Sequence, residues 1–134
     1  MSNRTGSCLC GAVTYDVTEE PLIVAACHCT NCRKQSGASY SVNAIFPKKC
    51  YSQHGTTRVF TDKGDSGNPV YRHFCPACGS PILSLTAAFP NHIILKVGSL
   101  DEPEALTPSH EVFCDSALPW VPHIANATRT GRAA

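Results

Sequence analysis

Seven of the nine cysteines in this 134-residue chain fall into three tight groups: "CLC" (Cys8 and Cys10), "CHCTNC" (Cys27, Cys29 and Cys32) and "CPAC" (Cys75 and Cys78). Cys50 and Cys114 stand alone. Thiols two or three positions apart can reach one metal ion with little chain strain, and a closed zinc site joins two such pairs. Two pairs and one triplet therefore suggest two zinc ions.

The simplest assignment gives Cys8, Cys10, Cys75 and Cys78 to one closed four-thiolate site with a structural role. Gly79 and Pro81, just after "CPAC", suit the tight turn that follows a metal knuckle. Cys27, Cys29 and Cys32 are then left as three ligands with an open place, the arrangement of a catalytic zinc. In an extended segment Cys27 and Cys29 project to one side and His28 to the other, so His28 is a poor fourth ligand. Other readings of the thiols stay open: core or redox-active cysteines, or closure of the triplet by Cys50 or Cys114.

The elements that must position these groups read as short strands. The runs at 12–17, 22–27, 39–46, 57–61, 70–74, 82–85, 92–98 and 110–114 are rich in Val, Ile, Tyr, Phe and Thr and are bounded by turn residues. They predict a single all-β domain, mainly antiparallel. "DKGDSGNP" (62–69) reads as a hairpin loop. One short helix is expected from Thr30 or Asn31, as its cap, through Gln35, with Gly37 stopping it. A second helical turn is expected near "SLDEPEAL", limited by Pro103. The domain is expected over residues 1–124, with 125–134 a flexible tail that has little to bury.

Composition narrows the function. Formal charge is +1, from 11 basic and 10 acidic residues, without the basic stripe that binds nucleic acid. No run approaches the ~18 apolar residues of a membrane span, and no apolar leader precedes "CLC". The expected address is the cytoplasm, where thiols stay reduced and clustered cysteines favour metal or catalysis over disulfides.

Together, "GSCLCGAVTYDV", "CHCTNCRKQSGA", "RHFCPACGSPI", "VGSLDEP" and "LPW" resemble the glutathione-dependent formaldehyde-activating family, which includes the centromere protein V domain. The resemblance covers residues 6–121 in the family's order and spacing. It implies an Mss4-like fold of short antiparallel strands with two zinc sites, Cys8, Cys10, Cys75 and Cys78 matching the structural ligands and Cys27, Cys29 and Cys32 the catalytic ones. It also implies a carbon–sulfur lyase that reversibly forms S-hydroxymethylglutathione from glutathione and formaldehyde, its partner being a small thiol or glutathione adduct.

On the substrate side we expect Arg33, Lys34, Ser36 and Gly37. His28, Ser36, His110 and Asp115 are polar groups near the motifs, and the sequence singles out none of them as the proton carrier. Two other readings compete. One is a non-enzymatic zinc module that binds a partner through its β surface. The other is a thiol oxidoreductase, because "FCDSA" (113–117) resembles the nucleophile segment of methionine sulfoxide reductase B. That family, however, holds zinc with two CxxC pairs and lacks the triplet.

Overall fold

The computed structural model describes residues 3–132. It is mostly β, as the short runs predict, and its strands form two sheets. The smaller sheet has the order β1 (Asn3–Ser7), β2 (Thr14–Thr18), β5 (Tyr51–His54), all antiparallel. The larger comprises β3 (Ile23–Cys27), β4 (Ser41–Pro47), β6 (Arg58–Lys63), β7 (Pro69–Phe74), β8 (Pro81–Thr86), β9 (His92–Lys96), β10 (His110–Val112) and β11 (Thr128–Arg129). Its spatial order is β11-β10-β3-β4-β9-β8-β7-β6. A helix, α1 (Thr30–Ser36), follows β3 directly.

The core sits between the sheets. Val13, Tyr15 and Val17, in and beside β2, meet Ala44 and Phe46 of β4, Leu83 of β8 and Ile93 and Leu95 of β9, all buried. The alternation of a strand then fixes what the large sheet shows on its other face. There it presents Ala25 and Cys27, Asn43 and Ile45, Ile94 and Lys96, Ser84, and Val70 and Arg72, which line one cavity.

Several expectations are refined. The loop at 62–69 closes the β6–β7 hairpin, with Asp62 and Lys63 already in β6 and Pro69 in β7. The turn near Pro103 is a short 3-10 helix at Pro103–Ala105. The cap of α1 is Cys29 rather than Thr30 or Asn31: its sulfur accepts the N–H of Cys32 at 3.2 Å. Gly37 ends α1 in the left-handed region (φ 69°), its N–H donating to the Arg33 carbonyl, which is the role expected of it.

In the described part of 125–134 the backbone is paired. β11 pairs in parallel with β10, and the N–H groups of Phe113, Cys114 and Asp115 donate to the carbonyls of Arg132, Thr130 and Gly131. Backbone pairing holds this segment without the apolar residues that composition looks for. β10 also runs parallel to β3, so the sheet is mixed at this edge. Residues 133 and 134 lie outside the described residues.

Candidate functional site

The two pairs converge as their spacing requires. The sulfurs of Cys8, Cys10, Cys75 and Cys78 lie within 4.8 Å of one another. A sulfur tetrahedron about zinc, with bonds of about 2.3 Å, has edges of roughly 3.8 Å. The Cys8–Cys10 and Cys10–Cys75 sulfur separations are both 3.7 Å. The backbone is arranged for sulfur anions: Val13 N–H donates to Cys8 Sγ at 3.2 Å, and Ala77 and Cys78 N–H donate to Cys75 Sγ at 3.3 and 3.4 Å. Gly79, at φ 81°, makes the turn that returns the chain to β8. Donor set and geometry both fit a closed four-thiolate metal site that ties the N-terminal turn to the β7–β8 hairpin.

The triplet forms the second group. The sulfurs of Cys27, Cys29 and Cys32 lie within the same 4.8 Å limit, and among the described residues no further Cys, His, Asp or Glu atom joins them. Cys27 ends β3, Cys29 caps α1 and Cys32 swings in from the first turn. Val112 and Phe113 pack against this group. Phe113 holds a left-handed backbone (φ 55°, ψ 40°), a conformation that costs an aromatic residue of order 1–3 kcal/mol and is kept only where surrounding structure imposes it. Three thiols with one side open fit a metal that keeps a coordination place for a ligand.

That open side faces a cavity of about 570 Å³. Two buried cations stand in its wall. Arg72 (6% exposed) donates from Nε to Asp62 Oδ2 at 3.0 Å, and its Nη1 lies 4.0 Å from Cys32 Sγ. Lys96 (6% exposed) donates from Nζ to Ser41 Oγ at 2.9 Å. Burial, with the Arg72 charge adding to it, holds the Lys96 ammonium below the ordinary lysine range, and thiolate charge at Cys32, Cys27 and Cys29 offsets only part of this. Fixed positive charge beside three thiolates balances a net-negative metal–thiolate centre and prepares the site for a further anion. Neither residue was singled out in the sequence. The available signal was a charged residue inside an apolar run, as in "IILKV" and "VYRHF".

The structure separates the other candidates. Arg33, Lys34 and Gly37 lie outside the cavity lining; one and two positions after Cys32, Arg33 and Lys34 fall on other sides of α1. Ser36 faces a different cleft, of about 700 Å³, which it shares with Tyr40, Ser80 and Ser99. His28 turns to the opposite side from its cysteine neighbours, as expected, and its Nε2 meets Glu111 Oε1 at 2.9 Å. His110 is held by Ser109 on β10, away from the cavity. Asp115 lines the cavity. Cys114 does not; its Sγ contacts the Glu111 carbonyl at 3.4 Å. Cys50 is buried and donates to Glu19 Oε2, and it joins neither group of converging thiols.

Glu111 is a third residue that the sequence did not single out. Burial alone would raise its carboxyl, but hydrogen bonds from His28, the Ile124 N–H and Arg129 outweigh this and hold it below the ordinary range.

Among the described residues no helix is long and apolar enough to cross a membrane. In comparisons with solved structures, the chain is similar to a Rhodobacter sphaeroides protein known from its crystal structure, with a TM-score of 0.57 and 18% identity over 94% of this chain and 99% of the other. At that identity the likeness speaks for the fold. The family model described as glutathione-dependent formaldehyde-activating enzyme matches residues 3–116, a span that contains both thiol clusters and both buried cations. The chain therefore belongs to the glutathione-dependent formaldehyde-activating enzyme family.

Proposed function

We propose that this protein is a zinc-dependent carbon–sulfur lyase that cleaves, and in reverse forms, the adduct of a thiol such as glutathione with an aldehyde. S-hydroxymethylglutathione, from glutathione and formaldehyde, is the simplest such adduct. The observation that carries the reading is the contrast between the clusters: four thiols close one site, and three thiols at the other open onto a cavity walled by Lys96 and Arg72.

Cys8, Cys10, Cys75 and Cys78 would hold a structural zinc, and Cys27, Cys29 and Cys32 a second one. Held by three thiolates, zinc supplies weak Lewis acidity but a good place for a thiolate, which suits sulfur chemistry better than water activation. The remaining work belongs to the chain. Lys96 and Arg72 provide buried positive charge toward which an anionic sulfur or a developing oxyanion is drawn. Asp115, among the polar groups near the motifs, is the one in the cavity wall and is assigned here as the acceptor of the adduct's hydroxyl proton. Cleavage then breaks the C–S bond with its electron pair left on sulfur, while loss of the hydroxyl proton completes the C=O bond. No atom or electron beyond those of the adduct is needed.

The non-enzymatic zinc module is disfavoured by the open triplet, since a purely structural site has no use for a missing ligand. The reading is tested by NMR exchange spectroscopy on glutathione with ¹³C-formaldehyde. Zinc-loaded protein should accelerate exchange between free and adduct carbon, and Cys32→Ser should abolish the acceleration. Equal exchange with and without protein would remove the lyase reading.

A further inference from the structure

The cavity beside the triplet has two unlike halves, and strand register shows why. Pairing across the sheet aligns Ala25, Asn43 and Lys96 in one row, and Ile23, Ile45, Ile94, Ser84 and Arg72 in the next. The second row begins with three isoleucines and ends at the guanidinium beside Cys32. All five of its residues line the cavity, as do Phe89 and Phe113.

Ile23, Ile45 and Ile94 sit on the face of the sheet away from the core, half-buried rather than covered. An antiparallel sheet that shows one face to water carries polar residues there. Between the isoleucines and Arg72 stands Ser84, 3% exposed, whose hydroxyl is buried without a hydrogen-bond partner. A buried polar group left unpaired costs stability unless something completes it. The volume, about 570 Å³, falls within the roughly 300–1,000 Å³ of sites that take sizeable organic ligands. Formaldehyde offers a single carbon to this space. Glutathione is a charged, polar tripeptide with nothing to lay against an isoleucine row.

We propose that the adduct's carbonyl partner is an aldehyde with an extended apolar substituent. The substituent lies along Ile23, Ile45 and Ile94, and the adduct's hydroxyl is hydrogen-bonded by Ser84. This rests on the thiol-adduct reading above and names the substrate class of the same site. The step is unchanged: the C–S bond breaks, sulfur keeps the pair, the hydroxyl proton leaves and the long-chain aldehyde is released.

S-alkylglutathiones test it, because they keep the C–S bond and lack the hydroxyl needed for cleavage. Binding of S-methylglutathione and S-hexylglutathione to the zinc-loaded protein is measured by titration calorimetry. Each methylene taken from water is worth about fourfold in affinity, converted from roughly 0.8 kcal/mol. S-hexylglutathione should bind at least about tenfold more tightly, even with partial burial of the chain. Ile45→Thr and, separately, Ile23→Thr should erase most of that preference and leave S-methylglutathione binding within about twofold. Turnover provides a second readout: kcat/KM for the hexanal adduct of glutathione should exceed that for the formaldehyde adduct, and the excess should vanish in Ile45→Thr. Equal binding of the two thioethers, or binding of neither, overturns the proposal. Cleavage of the formaldehyde adduct without preference for hexanal overturns it while sparing the lyase reading. Preference for the hexyl thioether with neither adduct cleaved overturns the lyase reading and supports the apolar site.

Discussion

The imidazole of His28 and the carboxylate of Glu111 meet at 2.9 Å, with each side chain 1% exposed. His28 lies between two thiols of the triplet, and Glu111 lies on β10, where it also receives Arg129 of β11 at 2.8 Å. The backbone N–H of His28 donates to the Val112 carbonyl as well. The C-terminal strands are thus fastened to the back of the thiol turn.

Removing one member of a buried pair leaves the other unpaired, at a cost of several kcal/mol. Glu111→Leu should lower unfolding stability by about 3 kcal/mol, since Arg129 is partly exposed and can regain water. Urea denaturation of zinc-loaded protein measures this. A change within about 0.5 kcal/mol, the size typical of a surface substitution, would show that the contact holds little.

The same carboxylate gives a pH dependence with a definite sign. Its folded pKa lies below the ordinary value of 4.5, so its stabilisation is present above that pH and is lost as pH falls through the folded pKa. Stability of wild type minus that of Glu111→Gln should be constant from pH 7 to about 5 and shrink below the ordinary value. Matched urea midpoints at each pH provide the check, because metal loss in acid affects both proteins alike. A gap that widens on acidification contradicts the assignment.

Lys96 stands on β9, and methionine can occupy its stem's space while Arg72 still faces the thiolates. Lys96→Met should keep the fold and reduce kcat/KM for adduct cleavage by about 10²-fold, the scale of losing one charge-stabilising donor. Exchange NMR and a melting curve on the same sample separate the two effects. Undiminished turnover would place the catalytic charge elsewhere.

The closed site should behave differently from the open one. Cys75 is fully buried in the core cluster, and Cys75→Ser removes a thiolate from a site whose binding energy is on the order of 10 kcal/mol, comparable with the whole stability of a small domain. That variant should be unfolded or collapsed by circular dichroism at 25 °C. A native spectrum would show that the four-thiol site is dispensable.

Much of this was readable from the chain because metal-ligand spacing is local. Cys27, Cys29 and Cys32 carry their signal within six positions, and the eight apolar runs correspond to β2, β3, β4 and β6 to β10. The strands that escaped notice, "NRTGS", "YSQH" and "TR", are polar and have no alternating pattern to reveal them. Burial of Lys96 and Arg72 depends on register across five strands, and Glu111 reaches His28 over 83 positions. Such relationships follow from topology, which no short window contains. Arg33 and Lys34 were attractive as neighbours of the thiols in sequence, yet the turn of α1 carries them past the cavity.

The central claim is that one metal closes the fold and another, at Cys27, Cys29 and Cys32, is held with a place left open. Metal analysis of wild-type and Cys32→Ser protein, purified without added zinc, tests it most directly when paired with circular dichroism. Close to two zinc ions per chain in the wild type, and selective loss of one in the variant with the spectrum unchanged, is the predicted result. A single ion in the wild type, or collapse of the fold in Cys32→Ser, would contradict it.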